Sequence, residues 1–202
     1  MDSPHCSLVV ATRNRDKLRE IQEALLGVPL NVLSLADFAF VSEVVEDRPD
    51  LYGKAIKKAT EVADQVETWT LADDTGLEVE ALDGAPGVYA ARYSGPGATY
   101  ESNCRKLLAE MQDVPDGKRG AQFRTVMALR THDGLYCVEG VVGGTIRREF
   151  RGSGGFGYDP IFELPNGKTL AELTVSEKNA ISHRGNALKR VVELLNYLTR
   201  RP

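Results

Sequence analysis

The sequence predicts an α/β protein: a mixed central sheet flanked by helices, arranged as two lobes around a substrate cleft. Three observations lead there. Strand-like and helix-like segments alternate early in the chain, period-two strands dominate its middle, and helical spacing returns at its end. No repeat, low-complexity tract or linker composition divides the 202 residues, so 1–202 reads as a single domain with two lobes. Ligands in such folds sit where strand ends meet helix starts.

Taken in order, Ser7 to Ala11 is a short apolar, β-branched run and reads as a buried strand. Beyond Thr12-Arg13-Asn14, Leu18, Ile21 and Leu25 share one helical face, and Gly27 and Pro29 end that helix. Asn31 to Leu35 is a second strand, and the acid-rich stretch from Ser42 to Asp50 is a loop. Ala55, Ala59, Val62 and Val66 mark a second helix, with Lys54, Lys57 and Lys58 on its wet side. Thr68 to Ala72 is a strand running into an acidic turn, Asp73-Asp74-Thr75-Gly76, and Glu78 to Leu82 is a further short strand. Two Gly/Pro loops (83–87 and 94–97) precede a helix from Thr99 to Met111 whose apolar edge is Leu107, Leu108 and Met111. Phe123, Thr125, Met127 and Leu129 lie on one side of a strand. Asp133-Gly134 then predicts a hairpin turn into Leu135 to Val142, and Thr145 to Phe150 is placed to pair next. A glycine-rich loop, Gly152 to Gly157, leads to a terminal helical pattern of Ala187, Val191, Leu194, Leu195 and Leu198.

Composition removes several function classes. Apolar residues make up 42% and charged residues 27%, ordinary for a globular protein. A net charge of −4 gives no global field toward nucleic acid or an anionic membrane, so neither is expected as a partner. No apolar run approaches the roughly 18 residues that span a bilayer. Met1 to Cys6 lacks the basic-then-apolar order of a secretory signal. Cys6, Cys104 and Cys137 are odd in number and widely spaced, and read as ordinary thiols. A cytoplasmic protein fits all of this.

Four segments carry chemistry. Thr12-Arg13-Asn14-Arg15-Asp16-Lys17 joins a buried strand to a helix, where free N–H groups, Thr and Asn side chains and the Lys17 charge suit phosphate oxygens. It also fits an ordinary helix capped by Asn14. Asp73 and Asp74 follow an apolar strand directly. Paired acids there are costly unless a cation or hydrogen bonds offset their repulsion, and Mg²⁺ takes few oxygen ligands, with substrate phosphates supplying the rest. Glu46 upstream, and Glu78 or Glu80 downstream, are further oxygen donors; a bend capped by one Asp is the structural alternative. In Gly154-Gly155-Phe156-Gly157-Tyr158-Asp159-Pro160 the glycines admit close approach and the aromatics offer stacking faces or core filling. Lys178, His183 and Arg184 gather donors at a helix-to-helix junction.

With these segments the chain resembles the inosine triphosphate pyrophosphatase family. The matching stretches are Thr-x-Asn-x-x-Lys at 12–17, Ala-Asp-Asp-Thr-Gly-Leu at 72–77, Gly-Ala-Pro-Gly-Val-Tyr at 84–89, Gly-Gly-Phe-Gly-Tyr-Asp-Pro-Ile-Phe at 154–162 and Glu-Lys-Asn-Ala-Ile-Ser-His-Arg-Gly at 177–185. They stand in family order across nearly the whole chain. The resemblance implies an elongated fold with a central cleft, a homodimer, and Mg²⁺-dependent cleavage between the α and β phosphates of ITP, dITP and XTP. Thr12, Arg13, Asn14, Arg15, Asp16 and Lys17 would then hold the triphosphate. Asp74 would bind Mg²⁺ and accept a proton, supported by Asp73, with Glu46 as a second metal ligand across a variable loop. Thr75 would lie beside the substrate, and Phe156 would stack on the base in a pocket shaped by Gly157, Tyr158 and Asp159. Lys178, His183 and Arg184 would meet base and phosphates. The chain departs from the pattern at Gly53-Lys54-Ala55, where bacterial relatives usually carry Glu-Asn-Ala.

Selectivity for these bases would rest on the purine 6-carbonyl. A site of donors accepts it and leaves buried donors unpaired against adenine. Two other readings compete: a housekeeping pyrophosphatase for pyrimidine or modified nucleotides, and a nucleotide sensor without turnover. Paired Asp73-Asp74 argues against the sensor, because binding alone needs no base beside a metal.

Overall fold

In a computed structural model, which describes residues 7–200, the chain forms a seven-stranded mixed sheet flanked by helices. The readings made of Met1 to Cys6 lie outside the described residues. The strands are β1 (Ser7–Val10), β2 (Asn31–Ser34), β3 (Trp69–Val79), β4 (Pro86–Gly87), β5 (Gly120–Arg130), β6 (Leu135–Ile146) and β7 (Phe162–Glu163). The helices are α1 (Arg15–Ala24), α2 (Leu51–Val66), α3 (Tyr100–Glu110), α4 (Val175–Ile181) and α5 (His183–Leu198). Strand order is β2-β1-β3-β5-β6-β7, with β4 pairing β3 beside that path. β1 runs parallel to β2 and β3, whereas β4 on β3 and β7 on β6 are antiparallel.

The chain separates into two compact units. The first comprises residues 7–74, Thr125–Gly140 and 184–200; the second comprises Thr75–Arg124 and Val141–His183. Each has its own apolar core. The first packs Leu8, Val10 and Leu71 of the sheet with Ile21 and Leu25 of the α1 region, and with Ala187, Leu188, Val191 and Leu195 of α5. Leu18, Ile21 and Leu25 meet there because spacings of three and four put them on one face. The second packs Leu77, Val79, Ala121 and Phe123 against Cys104, Leu107 and Met111 from the α3 region, closed by Tyr158, Ile161 and Phe162.

Four sequence expectations are corrected. The acidic segment is no turn: β3 runs unbroken from Trp69 to Val79 through Asp73-Asp74-Thr75-Gly76. Residues 70–74 are all buried, and their place within the sheet overrides the turn signal of Asp and Gly. Glu78 to Leu82 is not a separate strand, since β3 ends at Val79 and Glu80–Leu82 is a 3₁₀ turn. Thr145 and Ile146 belong to the end of β6, pairing Glu163 and Phe162 of β7, and 147–150 is not strand. Finally, Lys54 of α2 is buried, and the side chains of Lys57 and Lys58 are only 15% and 18% exposed, so none of the three lies on a wet face. Among the described residues no helix is long and apolar enough to cross a membrane.

Candidate active site

The first unit collects the phosphate turn and the acidic pair. β1 pairs β3 only as far as Val10 with Leu71, and Ala11 N–H donates to Leu71 O at 2.8 Å. The chain then leaves the sheet through Thr12 to Asn14 and turns into α1 beside the next stretch of β3. Asn14 caps α1: its Oδ1 accepts from the N–H groups of Asp16 at 2.9 Å and Lys17 at 3.2 Å. Thr12 Oγ1 accepts from Asn14 N–H at 3.2 Å, and Arg13 Nη2 donates to Val41 O at 2.9 Å. Arg15 is exposed, and Asp16 pairs loosely with Arg19 at 3.9 Å. The capped-helix reading of this turn therefore holds, and the cap places Lys17 one residue inside the helix.

From there Lys17 Nζ reaches back to Asp73 Oδ2 at 3.0 Å. Arg184, on the first turn of α5, approaches the same oxygen with Nη2 at 3.1 Å and Nε at 3.3 Å, and donates through Nη1 to Glu20 Oε2 at 2.7 Å. Asp73, Glu20 and Arg184 are all buried. Burial pushes the Asp73 carboxyl up, but Lys17, Arg184 and Lys58 outweigh it and hold the group far below the usual carboxylate range. Asp73 is thus a locked anion.

Asp74 lives differently. Burial raises its carboxyl to about 6; Lys17 and Lys58 oppose that rise and Glu46 adds to it. Its Oδ1 lies 3.8 Å from Lys58 Nζ, and its Oδ2 is buried with no hydrogen-bond partner among the described residues. The backbone carbonyl of Asp74 accepts from Thr125 Oγ1 at 2.9 Å, fixing the strand beneath it. Lys58 also donates to Glu46 Oε1 at 3.1 Å, so Glu46 and Asp74 share one ammonium. Burial tends to raise Glu46, but Lys58 overrides it and holds the group below its ordinary value.

Whether these residues fit a divalent cation is decided by Asp74. A buried carboxylate oxygen without a donor, on a group whose ionisation burial opposes, is what a hard cation relieves. Among the described residues no three His, Cys, Asp or Glu side chains gather as a cage.

The second unit holds the remaining candidates. The loop ahead of Asp159 folds back on that side chain: Asp159 Oδ2 accepts from Phe156 N–H at 2.7 Å and from Lys178 Nζ at 2.6 Å. Lys178 and Asp159 are both buried, and Nζ lies 4.4 Å from the Phe156 ring centroid. Tyr100, at the start of α3, meets the same Phe156 ring at 5.8 Å between centroids, tilted by 45°. Gly155 adopts φ +68°, and a Cβ there would stand 2.2 Å from Asp159 Oδ2, so only glycine lets the loop close on its anchor. Tyr158 is buried and donates to Ala90 O at 2.8 Å; Gly157 O accepts from Cys104 Sγ at 3.3 Å. Burial pushes the Cys104 thiol up to about 12, which keeps it inert. His183 stacks on Phe123 at 4.6 Å and 15°, and Thr75 is half-buried on β3.

The profile of the Ham1 family matches residues 8–194. The chain belongs to the Ham1 family. Among its relatives, the dITP/XTP pyrophosphatase of Geobacter sulfurreducens is 51% identical over 183 residues, which are 90% of this chain and 92% of that protein. The dITP/XTP pyrophosphatase of Desulforamulus reducens is 46% identical over 193 residues, 95% and 96% of the two chains. In three dimensions the Ham1 protein of Coxiella burnetii superposes with a TM-score of 0.86 at 39% identity, covering 95% of this chain and 99% of its own. A Mycobacterium abscessus structure described as a nucleoside-triphosphatase, dITP/XTP pyrophosphatase, gives 0.73 at 42% identity, covering 92% and 98%.

In this Ham1 chain, sequence reasoning brought Lys17, Glu46, Asp73, Asp74 and Arg184 onto one list without seeing that three of them form a single ion-paired knot. It missed Glu20, and it assigned Lys54 and Lys58 to the wet side of their helix and not to the site. Glu20 gave a usable signal: it adjoins Ile21 on α1, close to the face that Leu18, Ile21 and Leu25 turn inward. Lys54 and Lys58 stand one turn apart beside Ala55 and Ala59, a spacing that puts both near a packed face.

Proposed function

We propose that the chain hydrolyses deaminated purine nucleoside triphosphates (ITP, dITP and XTP) to the nucleoside monophosphate and pyrophosphate, with Mg²⁺ as cofactor. The observation that carries this is the unequal treatment of two adjacent aspartates: Asp73 is locked ionised by Lys17 and Arg184, while Asp74 is raised to about 6 with a bare buried oxygen. Environments that push neighbouring carboxyls apart assign them different work. The names carried by the Geobacter and Desulforamulus relatives support the substrate class.

In this reading water attacks the α phosphorus in line, its proton passes to Asp74, a new P–O bond forms, and the bond to the β-phosphate oxygen breaks with pyrophosphate leaving. Asp74 and Glu46 would hold Mg²⁺, which when bound neutralises phosphate oxygens. Lys17 and the Thr12–Lys17 turn hold the triphosphate, and Lys58 orients both metal-facing carboxylates. Arg184 acts through Asp73, fixing it as a permanent anion. Phe156 stacks on the base, held in place by Asp159 and Lys178. Donors around it, His183 among them, meet the 6-carbonyl that distinguishes hypoxanthine and xanthine from adenine. A homodimer, a cytoplasmic location, and the absence of nucleic-acid and membrane partners complete the reading.

The test is pyrophosphate release from ITP, XTP, dITP, GTP, ATP and dTTP, with Mg²⁺ and with EDTA. Mg²⁺-dependent release from ITP, dITP and XTP well above that from ATP and dTTP is expected. Release from ATP or dTTP equal to that from ITP would sink the specificity, and undiminished release in EDTA would remove the metal.

A further inference from the structure

The surroundings of the acidic pair carry their own cations. Glu20, Glu46, Asp73 and Asp74 share the ion pairs of four cations, Lys17, Lys54, Lys58 and Arg184. Lys17 and Arg184 are committed to Asp73 and Glu20, which leaves Lys54 and Lys58 for Glu46 and Asp74. Lys58 grips Glu46 at hydrogen-bond distance. Lys54 does something else. Its side chain is 1% exposed, yet its Nζ stands 3.8 Å from a Glu46 Oε2 whose side chain is 36% exposed. At that distance the contact with Glu46 is one of charge and not of directed hydrogen bonding. Lys54 also contributes to holding down both the Glu46 and the Asp74 carboxyls, so its charge is felt at each. Helix α2 sets this up: residues four apart share a face, so Lys54 and Lys58 present two ammoniums to the same two carboxylates.

We propose that Lys54, together with Lys58, is the resident counter-charge of the Glu46–Asp74 pair, so that the nucleotide-free protein binds a divalent cation weakly and takes it up jointly with the triphosphate. This rests on the reading of Glu46 and Asp74 as the cation-holding pair. A divalent ion arriving alone meets two ammoniums that repel it and compete for the same carboxylates. A triphosphate arriving with the ion supplies the anionic charge that restores the balance, and its oxygens complete the coordination shell. Cation and nucleotide then bind with positive coupling, reciprocal by linkage. Lys54 touches no reacting atom in this scheme; it is a positioning residue that sets the order of loading.

The experiment is a Mn²⁺ titration of the full chain without nucleotide, read by electron paramagnetic resonance of free Mn²⁺, on the native protein and on Lys54→Met, Lys54→Gln and Asp74→Asn. Thermal unfolding confirms that each variant is folded. Met and Gln keep the length of the buried stem, so two independent replacements guard against a folding failure in one. Removing one ammonium from beside the pair is expected to tighten Mn²⁺ binding by about tenfold in both Lys54 variants. Adding a non-hydrolysable α,β-methylene triphosphate should tighten the native protein more than the variants, narrowing the gap. Unchanged or weaker Mn²⁺ affinity in both Lys54 variants overturns the proposal, as does native affinity that nucleotide leaves unaltered. Asp74→Asn separates the two levels. If it leaves Mn²⁺ binding untouched, the assignment of the cation pair falls. If it abolishes binding while the Lys54 variants show no gain, that assignment stands and the counter-charge role alone falls.

Discussion

Replacing Asp74 by Asn should make the cation-free protein more stable while stopping its chemistry. The folded Asp74 carboxyl sits at about 6 against an ordinary value of 3.8, chiefly because burial disfavours its charge. An acid whose folded pKa is raised keeps its full stability contribution below the unfolded value and loses it as pH rises through the folded one. The relevant window here is therefore pH 4 to 6. Above it the native protein carries a deficit of roughly two pKa units, or about 3 kcal/mol at 1.36 kcal/mol per unit. Asn cannot ionise and is free of that deficit. At 2–4 °C per kcal/mol for a chain of this size, the variant should melt about 6–12 °C higher at pH 7.5.

The assay is urea or thermal unfolding of both proteins in EDTA at pH 4, 6 and 7.5, with the difference between them as the readout. Taking the difference cancels the common acid destabilisation from groups such as Asp73 and Glu46, whose depressed carboxyls lose stability as pH falls. The gap should be near zero at pH 4 and full at pH 7.5. Added Mg²⁺ with nucleotide should close it by stabilising the native protein alone. Pyrophosphate release by the variant should fall by orders of magnitude at every pH. A gap independent of pH, or a variant less stable than native at pH 7.5, would refute the claim that burial raises Asp74. Near-native turnover in the folded variant would remove Asp74 from the mechanism.

Two further substitutions each probe one of the compact units. Arg184→Leu removes from buried Asp73 and Glu20 a cation that both share, and should cost about 3–5 kcal/mol in urea unfolding at pH 7.5. Phe156→Ala removes the stacking face and should lower kcat/KM for ITP by a factor corresponding to about 1–3 kcal/mol, with the fold intact by circular dichroism; an unchanged kcat/KM would separate this loop from base recognition.

What the sequence made legible follows from how each element is stabilised. α1 and α5 are amphipathic against one apolar core, so spacing at three and four located them, and Asn14 before Arg15 announced a cap by its own chemistry. β3 was legible only to Ala72. Its remainder carries Asp, Thr and Gly, residues that favour bends when local preference is all there is, and it stays extended because its neighbours supply what the local sequence lacks. The same limit hid Lys54 and Lys58. Periodicity assigns a charged residue to water, whereas the face of α2 they occupy is turned to Glu46 and the two aspartates, partners distant in sequence. Charged cores are invisible to hydrophobic patterning because their logic is pairwise.

That Asp73 and Asp74 lie on a strand and not in a turn explains how two identical neighbours come to do different things. A turn would let both carboxylates converge on one ion. A strand sends successive side chains to opposite faces. One face of β3 then offers Asp73 to Lys17 and Arg184, and the other offers Asp74 to Lys58 and Glu46. The strand also fixes the price of each: Asp73 is buried with two close cations and stays ionised, while Asp74 is buried with one ammonium at 3.8 Å and holds its proton more tightly. Exchanging their roles would need the strand to slip by one residue, which would carry Leu71, Leu77 and Val79 out of their cores. The apolar register of β3 therefore selects Asp74, and not Asp73, as the carboxyl that burial raises.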